Sequence, residues 1–327
     1  MTAEAATRST HPPFDPELAA GLATLPIPEL GSASLAEIRT VLADGLPGRP
    51  VPDLTVGGAL AESEITVPGP AGAPDITLLV LTPTTGTGPW PAIYHTHGGG
   101  MVIGNRRMGV EGFTPLAAEH GAVIVSVEYR LAPENPHPAP VEDCYAGLVW
   151  TAQHADELGI DPARILVAGG SAGGGLAAGI ALMARDRGFP HLTHQVLICP
   201  MLDDRFGTPS SQEVVGDAPW DRDANEFGWT ALLGAARGGP DVSPYAAPAR
   251  ATDLSGLPRT YLDVGNAELF RDETLDYAHR LSAAGVVVDL HMWGGAFHGF
   301  EGFVPHARVS QAALAVRNDF LARALAG

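Results

Sequence analysis

Short apolar runs alternate with longer segments of helical periodicity along most of this chain. The apolar runs predict buried strands at residues 75–82, 91–95, 122–127, 164–168, 194–199, 259–264 and 286–292. The segments among them predict helices at residues 35–43, with Ser34 as N-cap, and at 140–156, 171–187 and 271–284. A final helix shows apolar residues on one face: Val309, Ala313, Val316 and Phe320. This alternation predicts an α/β fold with a mostly parallel, covered sheet.

The alternation breaks after Pro200, where residues 203–245 are polar and rich in Gly and Pro. We expect a small helical cap there. The predicted division is residues 1–55 as the N-terminal part of the cap, 56–200 as the first part of the catalytic core, 201–245 as the cap insert and 246–327 as the second part of the core. Trp220, Phe227 and Trp229 in the insert either line an acyl pocket or pack the cap, and both readings stay open.

Ser171 is the candidate nucleophile. The segment Gly169-Gly170-Ser171-Ala172-Gly173 follows a predicted strand and begins a predicted helix. This is the G-x-S-x-G pattern of a nucleophile elbow, in which glycines make room for a sharp, strained turn. A flexible linker would explain the glycines alone, but not the strand before them and the helix after them.

A serine nucleophile needs a base and oxyanion donors. His298, in the Gly-rich segment Phe297-His298-Gly299-Phe300 after a predicted strand, is the candidate base. The segment His97-Gly98-Gly99-Gly100 follows another strand and matches the HGGG element of esterases. We therefore expect the backbone N–H groups of Gly99, Gly100 and Ala172 to form the oxyanion hole. His97 itself is expected to support the glycine loop.

The carboxylate that orients His298 is less determined. Glu268 is favoured because it lies beyond the carboxyl end of a predicted strand, where ligands of open α/β sheets bind. Asp263 inside the strand and Asp272 in the first turn of the next helix stay as alternatives. With Glu268, the order Ser171, Glu268, His298 is that of α/β-hydrolases.

These motifs together resemble the hormone-sensitive-lipase family of esterases. The resemblance extends to Tyr129-Arg130-Leu131-Ala132-Pro133-Glu134 and covers roughly residues 75–325. It implies an α/β-hydrolase core under a helical cap, hydrolysis of short to medium acyl esters and no cofactor. Two positions depart from the family pattern: Gly170 stands where Asp or Thr is usual, and Glu268 where Asp is usual.

Composition narrows the class further. The chain of 327 residues has a formal net charge of −18, which argues against nucleic acid and anionic membrane surfaces as partners. The N-terminal residues contain no apolar run typical of a signal peptide or membrane span, so a cytoplasmic enzyme is expected. Cys144 and Cys199 have no metal-binding or disulfide spacing. A homodimer stays open as an oligomeric state.

Other motifs are weaker. Gly173-Gly174-Gly175-Leu176-Ala177-Ala178 matches a dinucleotide fingerprint only formally, since the serine elbow occupies its turn. The pairs His95/His97 and His191/His194 lack further metal ligands nearby in sequence, so no metal is predicted. The sequence therefore predicts a carboxylesterase acting on a small-molecule ester. An arylformamidase or amidase using the same triad, and a non-catalytic receptor on the same fold, are the alternatives.

Overall fold

The computed structural model describes residues 10–25, 29–44 and 51–326. The predicted N-terminal cap segment, residues 1–55, therefore lies partly outside the described residues. No helix among the described residues is long and apolar enough to cross a membrane.

Eight strands form one sheet. They are β1 (Leu60–Val67), β2 (Ile76–Pro83), β3 (Trp90–Thr96), β4 (Val123–Glu128), β5 (Ile160–Gly170), β6 (His194–Ile198), β7 (Arg259–Gly265) and β8 (Val288–Trp293). Their order across the sheet is β1-β2-β4-β3-β5-β6-β7-β8. The pairs β1/β2 and β2/β4 are antiparallel, and all later pairs are parallel.

Eleven α-helices in the described residues accompany the sheet. They are α1 (Pro16–Leu22), α2 (Leu35–Asp44), α3 (Thr114–His120), α4 (Ala139–Gln153), α5 (Ala155–Leu158), α6 (Ala172–Arg187), α7 (Ser210–Glu213), α8 (Arg222–Leu233), α9 (Arg271–Ala283), α10 (Phe300–Phe303) and α11 (Arg308–Ala326). Short 3₁₀ segments lie at Val110–Gly112, Gly234–Ala236 and Pro248–Arg250. The architecture confirms the predicted α/β-hydrolase fold, with a mostly parallel sheet flanked by helices.

The central strands are buried on both faces, which explains why their sequences are continuous apolar runs rather than alternating ones. β6, for example, follows the register of β5 on one side and β7 on the other, and four of its five residues are buried. Because these strands are parallel, their carboxyl ends meet at one edge of the sheet. The predicted functional residues follow those ends.

Several elements differ from the sequence prediction. β1 was not predicted, because it is an edge strand buried only at Leu60 and Val67 and therefore lacks an apolar run. Helices α1 and α3, seven residues each, were also missed. The predicted helix at residues 140–156 is divided into α4 and α5. Ser34 precedes α2, but its hydroxyl donates to Glu29 O and accepts from Gly31 N, so it bonds within the preceding turn.

The final helix, α11, packs with the predicted face, displaced toward Ser310, Arg317 and Leu321. Val309 and Val316 are only half-buried, whereas Arg317 is buried beside Ala313 and Phe320. The guanidinium of Arg317 donates to the Asp263 carboxylate at 2.8 Å and to Glu301 Oε1 at 2.7 Å. A buried ion cluster thus joins α11 to strand β7 and to the short helix α10.

Candidate active site

Ser171 lies at the turn between β5 and α6, with φ of +58° and ψ of −125°. This conformation is rare for a residue with a side chain and stores strain. It is held by the Ser171 N–H, which donates to Ile198 O at 2.8 Å, and by Ser171 O, which accepts from Met201 N at 3.0 Å. A Cβ at Gly173 would overlap the Thr96 carbonyl, so the close approach of strand and helix requires glycine there.

Gly170, the position that departs from the family pattern, has no such constraint. A Cβ built there would find its nearest atom, in Ile198, at 3.8 Å, which is ordinary contact. The backbone of the elbow therefore accepts a side chain at this position. Glycine at position 170 therefore removes the polar side chain that is usual in the family, and the shape of the turn does not depend on it.

His298 lies in the loop after β8 and contacts both predicted partners. Its Nε2 lies 2.9 Å from Ser171 Oγ, and its Nδ1 lies 3.1 Å from Glu268 Oε1. The imidazole is 7% exposed and packs edge-on against the Phe270 ring, with the ring centroids 5.1 Å apart. The structure thus brings together three side chains that come from residues 171, 268 and 298.

Glu268 is almost fully buried, and its Oε2 accepts from Gly265 N at 3.1 Å. That bond anchors the carboxylate while Oε1 stays directed at His298. The two alternatives have other partners. Asp263 accepts hydrogen bonds from Arg317 and Tyr261, and Asp272 accepts from Arg271 Nε at 2.7 Å and from Ser210 N at 2.8 Å. Of the three candidates, Glu268 is the one in contact with His298.

The glycine loop at residues 97–100 faces Ser171. Gly99 has φ of +102°, and a Cβ there would overlap the Ile103 carbonyl, so the loop requires glycine at this point. Among the described residues, no backbone carbonyl accepts a hydrogen bond from the N–H of Gly99 or Gly100. Ala172 is the first residue of α6, where N–H groups have no partner within the helix. All three predicted oxyanion donors are therefore available for a ligand.

His97 supports this loop, as predicted. Its ring stacks on Tyr129 with centroids 4.0 Å apart, and its Nδ1 lies 2.8 Å from Gly98 O. Burial lowers the pKa of His97 to about 4 and that of His95 to about 3. His95 Nδ1 bonds Ser126 Oγ at 2.8 Å, within the core.

Trp220 forms one wall of the site. A Cβ at Gly100 would overlap its indole ring, and the indole centroid lies 6.4 Å from that of His298. Trp229, by contrast, is fully buried and packs within the core of the protein. Trp220 therefore contacts the glycine loop from within the core cluster that also holds Trp229, and Phe227 packs against that cluster half-buried. An acyl pocket lined by these residues stays a prediction.

Cys199 is the residue of this region that the sequence did not indicate. It follows β6 with φ of +34°, and its N–H donates to Asp263 O at 2.7 Å. Its Sγ lies within 4.8 Å of donor atoms of Glu268 and His298. Burial, together with the nearby charge of Glu268, raises the pKa of the Cys199 thiol well above its ordinary value. Only its position directly after a strand end hinted at a place in the site.

Known proteins resemble the chain over most of its length. A family model described as alpha/beta hydrolase fold matches residues 93–302. The carboxylesterase NlhH of Mycobacterium tuberculosis is 36% identical over 311 residues, which is 90% of each chain. The esterase LipI of the same species is 35% identical over 305 residues, 91% of each. A solved bacterial heroin esterase is 42% identical, covers 97% of this chain and 99% of its own, and superposes with a TM-score of 0.88.

Proposed function

We propose that this chain, which belongs to the hormone-sensitive-lipase family of carboxylesterases within the α/β-hydrolase fold, cleaves esters through Ser171, His298 and Glu268. The chain is a serine carboxylic-ester hydrolase acting on small-molecule esters. The observation that carries the proposed triad is the position of the His298 imidazole, with one nitrogen 2.9 Å from Ser171 Oγ and the other 3.1 Å from Glu268.

The proposed reaction begins when Ser171 Oγ attacks the ester carbonyl and its proton passes to His298 Nε2. Glu268 accepts the Nδ1–H hydrogen bond and stabilises the imidazolium cation. The N–H groups of Gly99, Gly100 and Ala172 donate to the oxyanion. The alcohol leaves with the proton from His298, and a water molecule then releases the acid from the acyl-enzyme by the same route.

Covalent labelling tests the nucleophile directly. An active-site phosphonate should attach to Ser171 and to no other residue, as read by peptide mass spectrometry. His298→Ala protein should label far more slowly, because the serine is then not activated. Labelling at another residue, or equal labelling of the His298 variant, would show that a different group carries the chemistry.

The small cap that the family resemblance implies supports short to medium acyl groups as substrates. A cleft with a volume of about 600 Å³ lies between the N-terminal helical segment and residues 216–219, 221, 223 and 224, and Trp220, which contacts the glycine loop, belongs to the same stretch of chain. Its apolar lining comes from Phe14, Leu22, Leu30, Ala218, Pro219 and Ala224. Heroin, the substrate in the name of one relative, carries acetyl esters, which supports the short end of this range.

The acyl range is tested with p-nitrophenyl esters from acetyl to dodecanoyl. We expect kcat/KM to be highest between acetyl and hexanoyl and to fall toward dodecanoyl, since the small cap implied by the resemblance favours short to medium chains. A maximum at dodecanoyl would contradict this range while leaving the triad intact. Matched p-nitroanilides test the amidase alternative, and we expect them to be hydrolysed far more slowly than the esters.

A homodimer through β8 is our proposal for the oligomeric state. β8 is an edge strand, and Leu290 and Met292 on one of its faces are exposed at 38% and 50%. Uncovered apolar edges favour strand pairing. Antiparallel pairing centred on Leu290 would place Asp289 of each copy opposite His291 of the other. Light scattering should show a dimer that Leu290→Lys converts to a monomer, and a monomeric unchanged protein would reject the proposal.

A further inference from the structure

Cys199 adds a third metal-ligating group to the pair formed by Glu268 and His298. One donor atom from each of the three side chains lies within 4.8 Å of the other two, and all three residues are buried. Within residues 10–25, 29–44 and 51–326, no other set of three His, Cys, Asp or Glu donors is this close. The proposed triad accounts for Glu268 and His298, whereas it gives the thiol no role.

Thiolate, imidazole and carboxylate are the ligands that zinc prefers in proteins. With metal–ligand distances of about 2.0–2.3 Å, tetrahedral donors lie roughly 3.4–3.8 Å apart. The Cys199 sulfur therefore needs to approach the other two donors by on the order of 1 Å, whereas Nδ1 of His298 and Oε1 of Glu268, 3.1 Å apart, need to separate slightly.

The charges of the three side chains would also balance that of a divalent ion bound among Cys199, Glu268 and His298. A Zn²⁺ ion bound by one thiolate, one carboxylate and one neutral imidazole forms a group with no net charge. Burial of an uncompensated charge would be costly, and here none remains.

We propose that Cys199, Glu268 and His298 form a reversible inhibitory site for a borderline or soft divalent cation, with Zn²⁺ as the representative ion. The inference rests on the proposed function, because the ion would occupy two members of the triad. On binding, the Cys199 thiol loses its proton to solvent and forms the sulfur–metal bond. The His298 proton moves from Nδ1 to Nε2, and the Nδ1 lone pair binds the ion.

This change of tautomer explains why occupancy stops hydrolysis. An imidazole that carries its proton on Nε2 cannot accept the proton of Ser171. The Glu268 carboxylate, bound to the ion, no longer orients the ring. Removal of the ion by a chelator restores the original tautomer and therefore the activity.

The test compares the two cysteines of the chain. Chelator-treated wild type, Cys199→Ala and the matched control Cys144→Ala, whose thiol is buried in the core on α4, are titrated with Zn²⁺ during p-nitrophenyl acetate hydrolysis. Each rate is expressed relative to the same protein without metal. The half-inhibitory Zn²⁺ concentration should rise by at least about tenfold in Cys199→Ala and stay unchanged in Cys144→Ala.

Binding is measured separately from turnover. Cd²⁺ added to Ser171→Ala protein, which needs no activity for this readout, should produce the ultraviolet absorption of a cadmium–thiolate bond, and Ser171→Ala/Cys199→Ala should not. If the Cys199→Ala protein melts early, Cys199→Ser takes its place in both assays, since a hydroxyl is a poor ligand for Cd²⁺.

Equal Zn²⁺ inhibition of wild type and the Cys199 variant would overturn the proposal, because the ion would then act elsewhere. A cadmium–thiolate band that persists without Cys199 would do the same. A band in wild type with unchanged turnover would reject the inhibitory role. Phosphonate labelling of metal-free protein tests Ser171 and His298 alone, so a failure of the proposed function is distinguished from a failure of the metal site.

Discussion

Two buried carboxylates, Asp263 and Glu268, lie five residues apart around the end of β7 and have opposite surroundings. Asp263, inside the strand, faces the permanent cation of Arg317, which also binds Glu301. Glu268, in the loop beyond the strand, faces the His298 imidazole and one backbone N–H. Asp263 is held by an ion pair, whereas Glu268 is held by hydrogen bonds to a backbone N–H and to the imidazole that is proposed to transfer the proton. The group that each carboxylate contacts therefore decides its role. Asp263, paired with Arg317, stabilises the fold, and Glu268, in contact with His298, is proposed to take part in catalysis.

The comparison predicts that substitutions in the proposed triad cause the largest loss of activity. Ser171→Ala and His298→Ala should each lower kcat by roughly 10⁶, as removal of a nucleophile or base does in serine hydrolases. Neither change touches the ion cluster, so the melting temperature should stay within about 3 °C of wild type. Steady-state kinetics and calorimetry measure the two quantities. Retained turnover in either variant would remove the proposed mechanism.

Glu268→Gln should have the next largest effect. The amide keeps the size of the side chain but cannot hold His298 in the tautomer that accepts the Ser171 proton, so kcat should fall by on the order of 10⁴. Asp263→Asn is the matched control, because it neutralises the other carboxylate of the comparison. We expect it to affect stability far more than kcat. Near-normal turnover in Glu268→Gln would move the orienting role to another carboxylate.

The residues proposed for the chemistry could be selected from the sequence, because their motifs mark strand ends. GGSAG, HGGG and FHGF each follow an apolar run, and parallel topology brings such ends together. Glu268 was preferred over Asp263 by its place in the loop and by its match to the acid position of the family that the chain resembles. The ion cluster was missed because Arg317 and Asp263 are 54 residues apart and no local pattern links them. One signal was present: Arg317 lies four residues after Ala313 and three before Phe320, within the apolar face of the helix.

The cluster should dominate stability. Arg317→Met would leave Asp263 and Glu301 buried without their cation, and removal of one partner from a buried ion pair typically costs about 3–5 kcal/mol. Chemical denaturation should therefore show a large loss in the free energy of unfolding. Arg323→Met on the exposed side of the same helix is the control and should change it by less than about 0.5 kcal/mol. A similar effect of both substitutions would contradict the structural role of Arg317.

Low pH should destabilise the fold through His95 and His97, two buried histidines near the glycine loop. The pKa values of His95 and His97 in the folded protein, about 3 and about 4, lie below their ordinary value of 6.5. The unfolded chain therefore binds protons first as the pH falls, and stability decreases below pH 6.5. Between pH 6.5 and 5.5 the loss should be about 1 kcal/mol per histidine. Denaturation curves of wild type and His97→Gln measure it, and equal slopes in both would exclude a contribution from His97.

Glu301→Gln should have the smallest effect on stability and activity. It tests whether the ion cluster of Arg317 and the proposed triad act independently. Glu301 lies three residues after His298, yet its contact is with Arg317. The glutamine oxygen can still accept that hydrogen bond, and the attraction lost toward Arg317 is offset by relief of repulsion with Asp263. Burial and the charge of Glu301 raise the pKa of Asp263 in the present arrangement. Stability should therefore change by less than about 1 kcal/mol, and kcat and its pH profile should not change. A clear fall in kcat at unchanged stability would mean that the ion cluster positions the His298 loop, and the two carboxylates would then act as one system.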